Sequence, residues 1–208
     1  MGSREEILAA IRRRQAHGGD SPPVAEREQL QSYLRAHPRG PLPQVGGDLV
    51  ARFRAHAEAS ASTCERVPAM DQVPGAVARF LDAHGLPKSG CVWPRLAGLD
   101  WKAAGLVLEP RAARGEDMLG VTGVFCALAE TGTLAMVSGA DTPASASLLP
   151  ETHVAVVPVA RLVPHMEDAW DLMRAVNFIS GPSRTADIEQ SVVLGAHGPY
   201  RVHIVLVG

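Results

Sequence analysis

At 208 residues, with 46% apolar residues and a net charge of −2, the chain has the size and hydrophobicity of one globular domain with an extension. That charge gives no general attraction for nucleic acid, and no run reaches the roughly 20 apolar residues that span a bilayer. Cys64, Cys91 and Cys126 stand far apart with no CxxC, which argues against an iron–sulfur cluster held by this chain alone.

In chain order, Ser3 and Glu6 form a Ser-x-x-Glu capping box, and Ile7, Leu8 and Ile11 follow at helical spacing. No apolar leader core precedes them, and an odd cysteine count without a secretion signal suits reduced thiols, so a soluble, cytoplasmic protein is expected. The run Arg12-Arg13-Arg14 reads as a solvated helix face. The helix is expected to fade in HGGDSPP at 17–23. A second helix is predicted over about 26–36, ended by HPRGPLP, and a third over about 47–61 with Leu49, Val50 and Phe53 on one face. Asp71 caps or precedes a fourth, with Val77, Phe80 and Leu81 inward. Residues 1–85 are thus expected to be a helical N-terminal extension, and 86–208 an α/β domain.

From Gly90 the pattern changes. CVWP (91–94) and GLVLE (105–109) read as short strands, and 120–139 reads as two strands around a tight Glu-Thr-Gly turn. HVAVVPV (153–159) has the continuous apolar character of a strand buried on both faces. MEDAWDLMRAV (166–176) has helical spacing, and VHIVLV (202–207) is a closing strand. This alternation predicts a central mixed sheet flanked by helices. Cys91 and Cys126 lie in apolar runs and read as core residues.

Three polar stretches interrupt this scaffold. In SGPSRTADIE (180–189), Pro182 suits the first turn of a short helix that Ser183 or Thr185 would cap, with Asp187 and Glu189 near its positive end. The same hydroxyls and free N–H groups would bind a carboxylate or phosphate, with help from Arg184. In AETGTL (129–134), Gly132 supplies the positive φ of a tight turn. Glu130 is then either a solvated turn residue or a nucleophile or general base at the sheet rim. LGAHGP (194–199) places His197 in a loop before the last strand. His153 and His203 read as packing histidines, and His165 as a solvated one near a helix start. No residue grouping has zinc spacing, and GxGxxG, GxxxxGK[ST] and GxSxG are all absent, which argues against dinucleotide, P-loop and serine-hydrolase chemistry.

Taken in order, GVTGVFCALAETGTLAM (120–136), SLLPETHVAVVPVARLVP (147–164) and SGPSRTADIEQSVVLGAHGP (180–199) resemble the LUD-domain family over about residues 89–208. The resemblance implies a fold like that of CoA transferases and ribose-phosphate isomerase. It also implies a part in an L-lactate utilisation system that oxidises L-lactate to pyruvate, with the iron–sulfur clusters on partner proteins and no cofactor or metal on this chain. Two alternatives stand beside it. One is a stand-alone transferase or isomerase using Glu130 on a CoA ester or sugar phosphate, and the other is a non-catalytic assembly subunit. The expected site joins Glu130 as the catalytic residue to Thr131, Gly132, Ser180, Gly181, Ser183, Arg184, Asp187 and His197 around a small anionic or polar metabolite, with no nucleic acid and no membrane.

Overall fold

A computed structural model describes residues 3–14, 23–36, 38–170, 176–187 and 190–208. The chain divides into two units, residues 1–42 and 43–208. The first contains α1 (Ser3–Arg14) and α2 (Val24–Ala36), neither of which buries a side chain. The linker expected at 17–23 lies almost wholly outside the described residues.

The second unit runs α3 (Leu49–Ala59), β1 (Thr63–Val67), α4 (Val73–Ala83), β2 (Ser89–Val92), β3 (Val107–Pro110), β4 (Leu119–Thr122), β5 (Cys126–Leu128) and β6 (Thr133–Val137). It continues with α5 (Ser145–Leu148), β7 (Thr152–Pro158), β8 (Leu162–Val163), α6 (Glu167–Trp170), β9 (Val176–Ile179), β10 (Arg184–Thr185), β11 (Val193–Leu194) and β12 (Arg201–Val207). The boundary expected near residue 85 falls inside this unit, between α4 and β2.

Six strands form one sheet in the order β1-β12-β7-β4-β2-β3, and every pair in it is parallel. The expected mixed sheet is therefore two sheets. The second has the order β8-β5-β6-β9, with β5 and β9 antiparallel to β6 and β8 parallel to β5. Residues 120–139 make three strands instead of two, because the chain leaves the first sheet after Thr122 and enters the second at Cys126.

Alternation along the central strands assigns their side chains to two cores. Val154 and Val156 of β7, with Val205 and Val207 of β12, pack on one face with Val73, Val77, Phe80 and Leu81 of α4. Ala155, Val157, Val202, Ile204 and Leu206 pack on the other with Phe53 and Ala57 of α3 and with Ala127, Leu134 and Met136 of the second sheet. The outer face of that second sheet, through Leu128 and Ala135, packs on Ala169 of α6. The layers are therefore α4, the parallel sheet, then α3 beside the second sheet, then α6. Each fully buried Leu, Val or Phe stabilises this arrangement by roughly 1.5–3 kcal/mol before its entropy cost.

β1 was not apparent as a strand because TCERV is an edge strand of mainly polar residues. Glu65 pairs with Arg79 of α4, and Arg66 Nε donates to the Gly208 carbonyl at 2.5 Å. Its register is pinned by a hydrogen bond between Thr63 Oγ1 and His203 Nδ1, 2.8 Å apart, and His203 stacks on Phe80 with ring centroids 4.0 Å apart. On the opposite face, His153 Nε2 lies 2.8 Å from Thr122 Oγ1 of β4. Both histidines are packing residues, as expected, and each has one ring nitrogen without a partner among the described residues. The helix expected over 166–176 begins as α6. Residues 171–175 lie outside the described residues, and Val176 opens β9.

Burial lowers the pKa of His153 and of His203 from 6.5 to about 4, with His84 adding to the effect at His203. Between these values the unfolded chain takes up protons that the folded chain refuses. Stability is therefore full above pH 6.5 and falls as the pH drops toward 4, by up to about 1.4 kcal/mol per pH unit per histidine. Urea midpoints measured across this window should fall in step. His203→Gln should show a shallower decline than the wild type, and identical slopes would show that His203 is not a source.

Candidate functional site

The sequence places Glu130, Thr131 and Gly132 at the β5–β6 turn, and the turn forms as expected, with Gly132 at φ +67°. Its neighbour across the sheet is the end of β9, where Leu134 pairs with Ile179. A chain of hydroxyls crosses this end of the sheet: Thr131 Oγ1 to Thr133 Oγ1 at 2.8 Å, and Thr133 Oγ1 to Ser180 Oγ at 2.6 Å. Thr131 and Ser180 are thus brought together through Thr133, which is not among the site residues expected from the sequence.

The rest of this cluster faces the end of α3. A Cβ on Gly132 would lie 2.3 Å from the Ala57 nitrogen, and one on Gly181, at φ +86°, would lie 2.0 Å from the Ser60 carbonyl oxygen. Arg184 Nη2 donates to that same oxygen at 2.6 Å. Gly132, Gly181 and Arg184 therefore join the second sheet to α3, which caps itself at its other end through Asp48 Oδ1, the acceptor for the Val50 and Ala51 N–H groups.

The short helix expected from Pro182 does not form. Arg184 and Thr185 pair with Leu194 and Val193 in the β10–β11 ladder. Ser183 sits at the head of that ladder: its N–H donates to the Pro199 carbonyl, its own carbonyl accepts from Gly195 N–H, and its hydroxyl accepts from His197 N–H at 3.3 Å. The loops of Ser183 and His197 thus meet, through the backbone of His197. Thr185 and Asp187 bond each other, hydroxyl to carboxylate at 3.0 Å and amide to hydroxyl at 3.2 Å, a local turn. Glu189 lies outside the described residues.

Glu130 turns away from this cluster, toward α6. Its Oε1 accepts from Met166 N–H at 2.9 Å and its Oε2 lies 3.2 Å from His165 Nδ1. Asp168 Oδ2 accepts from the His165 N–H at 3.1 Å. His165 is thus largely enclosed and paired, contrary to the solvated histidine expected, with 14% of its side chain exposed. Glu130 thus meets one orphan backbone donor of the helix start, the Met166 N–H.

A different site lies at the carboxyl ends of the parallel strands. After Trp93 the chain leaves β2 through Leu96, Trp101 and Leu106, which join the core on the face covered by α4. It leaves the adjacent β4 through Gly123 and Val124, toward the second sheet on the opposite face. Neighbouring strands whose connections part in this way leave a crevice between them, the ligand position of open α/β sheets. Here that crevice has two adjoining lobes of about 330 and 210 Å3, both bordered by Trp93, Arg95, Val124 and Arg161. Trp93 is fixed by its Nε1–H, which donates to the Pro143 carbonyl at 3.0 Å. Arg161 makes one long bond, to the Phe125 carbonyl at 3.4 Å. Arg95 has no hydrogen-bond or ion-pair partner among the described residues. No feature of the sequence marked these two arginines except their position just past strand ends.

The opposite end of the sheet has a pocket of about 290 Å3 lined by Glu109, Arg111, Arg114, Glu116 and Asp117. There Arg111 grips Asp117 with two bonds of 2.6 and 2.9 Å and reaches Glu109 at 2.6 Å, which holds the Asp117 carboxyl below its ordinary pKa. The thiols are unreactive by environment: burial raises Cys64 and Cys91 to about 11 and Cys126 in the same direction.

The sequence profile of the LUD domain matches residues 98–207, over half of the chain. The chain belongs to the LUD-domain family. Its LUD domain is similar to proteins named lactate utilization protein C. One, from Bacillus subtilis strain 168, is 38% identical over 128 residues, covering 52% of this chain and 53% of the relative. Another, from Bacillus licheniformis, is 33% identical over 127 residues, covering 55% and 53%. The chain thus spans about half the length of the curated relatives it matches. The fold is shared with the crystal structure of a DUF162 family protein from Deinococcus radiodurans, with a TM-score of 0.61 and 23% identity, covering 80% of this chain and all of the other.

If the Gly181 contact holds the LUD domain against α3, Gly181→Ala should lower stability by about 2 kcal/mol or more, from strain at positive φ added to the clash with Ser60. Arg184→Ala, which removes one exposed bond, should cost about 1 kcal/mol or less. Chemical denaturation of the two variants checks the order.

Proposed function

We propose that this chain acts in an L-lactate utilisation system and supports the oxidation of L-lactate to pyruvate beside iron–sulfur partner proteins that carry the electrons. The observation that carries the reading is the LUD-domain match together with the shared name of its relatives. The cysteine pattern is compatible with it: the three cysteines form no CxxC, the spacing typical of cluster ligands.

A second reading makes Glu130 a base or nucleophile in transferase or isomerase chemistry. In its favour, the carboxylate holds His165 Nδ1, an arrangement that would leave Nε2 as the basic nitrogen. Against it, both carboxylate oxygens already serve the start of α6.

Deleting the gene should abolish growth of the native host on L-lactate but not on pyruvate, and the wild-type gene should restore it. Glu130→Gln, which keeps an oxygen for Met166 N–H, should restore growth as well. A folded Glu130→Gln protein that fails to do so would transfer support to the second reading. Gentle affinity purification from lactate-grown cells should recover cysteine-rich partners with the broad visible absorption of iron–sulfur clusters. Growth on lactate unaffected by the deletion would overturn the proposal.

A further inference from the structure

We propose that the crevice at the carboxyl ends of β2, β4 and β7 binds a small organic anion. Its carboxylate or phosphate head lies between Arg95 and Arg161, and its apolar body rests against Trp93, Val124 and Phe125. This inference stands on the crevice's own chemistry and holds or fails independently of the lactate role.

Charge is the first support. Both arginines border both lobes, and among the described residues no carboxylate does. The pocket at the amino ends of the strands has the reverse character, since Arg111 there is consumed by Asp117 and Glu109. A guanidinium presents its N–H groups as a planar fork suited to an oxyanion, and the fork of Arg95 has no partner among the described residues.

The walls are the second support. Apart from the two cations and the Thr142 hydroxyl, the described side chains lining the larger lobe are apolar. The smaller lobe adds Met70, Leu96, Val156 and Pro158. A hydrated inorganic ion gains nothing from such walls, whereas an acid with an apolar body does. At about 330 Å3 the larger lobe is at the lower end of the roughly 300–1,000 Å3 range of small-molecule sites, and it is roomier than a three-carbon acid requires. Placement is the third support: the crevice lies where adjacent parallel strands send their connections to opposite faces.

Four probes separate head from body: phenylpyruvate and phenyl phosphate carry both, while pyruvate and inorganic phosphate carry the head alone. In calorimetric titration of the full chain, at least one of the ring-bearing probes should bind at least about tenfold more tightly than its truncated counterpart, and its affinity should fall as salt is added. Arg95→Ala and Arg161→Ala, both at exposed positions, should each weaken that binding about tenfold or more while circular dichroism and melting remain unchanged. Lys88→Ala, a surface cation paired with Asp82, should leave it unaltered. The proposal is overturned if neither ring-bearing probe binds at millimolar concentration. It is overturned equally if pyruvate and phosphate match their ring-bearing counterparts, or if removal of either arginine leaves the affinity where it was.

Discussion

Burial of the central strands on both faces is the constraint on which this fold depends. β7 and β12 are enclosed along almost their whole length, so every second side chain belongs to a different core. Polar groups inside such strands need partners, and the two buried histidines, His153 and His203, each find one threonine hydroxyl on a neighbouring strand. With its interior closed to other polar chemistry, the sheet leaves only its ends for function. At one end, Arg111 is taken up by Asp117 and Glu109. The other keeps two arginines facing a crevice.

The same constraint explains the polar stretch at residues 180–187. One face of the parallel sheet is shared by α3 and by the second sheet, and the two must meet edge to edge. Their seam is tight enough that backbone packs on backbone: Gly132 against Ala57, and Gly181 against Ser60. Serine, threonine, glycine and arginine suit such a seam because each satisfies or clears a main-chain group at short range. A composition that reads as a ligand loop is, for Gly181 and Arg184, the composition of a joint.

What the sequence reveals follows from length and period. β7, β12, α3 and α4 are long apolar or strongly periodic segments, and all four stand close to where their patterns place them. β1 was hidden by its polar edge, and β8, β10 and β11 are two-residue strands whose pairing is decided by tertiary contact. Within 120–139 the apolar run is nearly continuous, so periodicity cannot show that Gly123–Phe125 carries the chain from one sheet to another. At the candidate site, the turn at Gly132 was legible because positive φ has a residue signature. Arg95 and Arg161 were not, because isolated arginines 66 positions apart in sequence form no motif until the topology brings the two strand ends together.

The energetic positions of the two candidate chemistries differ. The Glu130 carboxylate is largely enclosed, with 12% of its side chain exposed, and both oxygens are engaged by donors at the start of α6. For Glu130 to take a proton or attack a substrate, it would have to release one of those donors. An unsatisfied buried donor costs about 1–3 kcal/mol, a charge that any reaction there would carry on each turnover. Arg95 and Arg161 face no such loss. Among the described residues one is unpaired and the other holds a single bond of 3.4 Å, so nearly all the energy of a new ionic contact remains available for binding. Preorganised apolar walls with uncommitted cations above them favour capture of an anion over proton transfer. This molecule therefore has more to offer a ligand at the crevice than at the carboxylate its sequence brings to notice first.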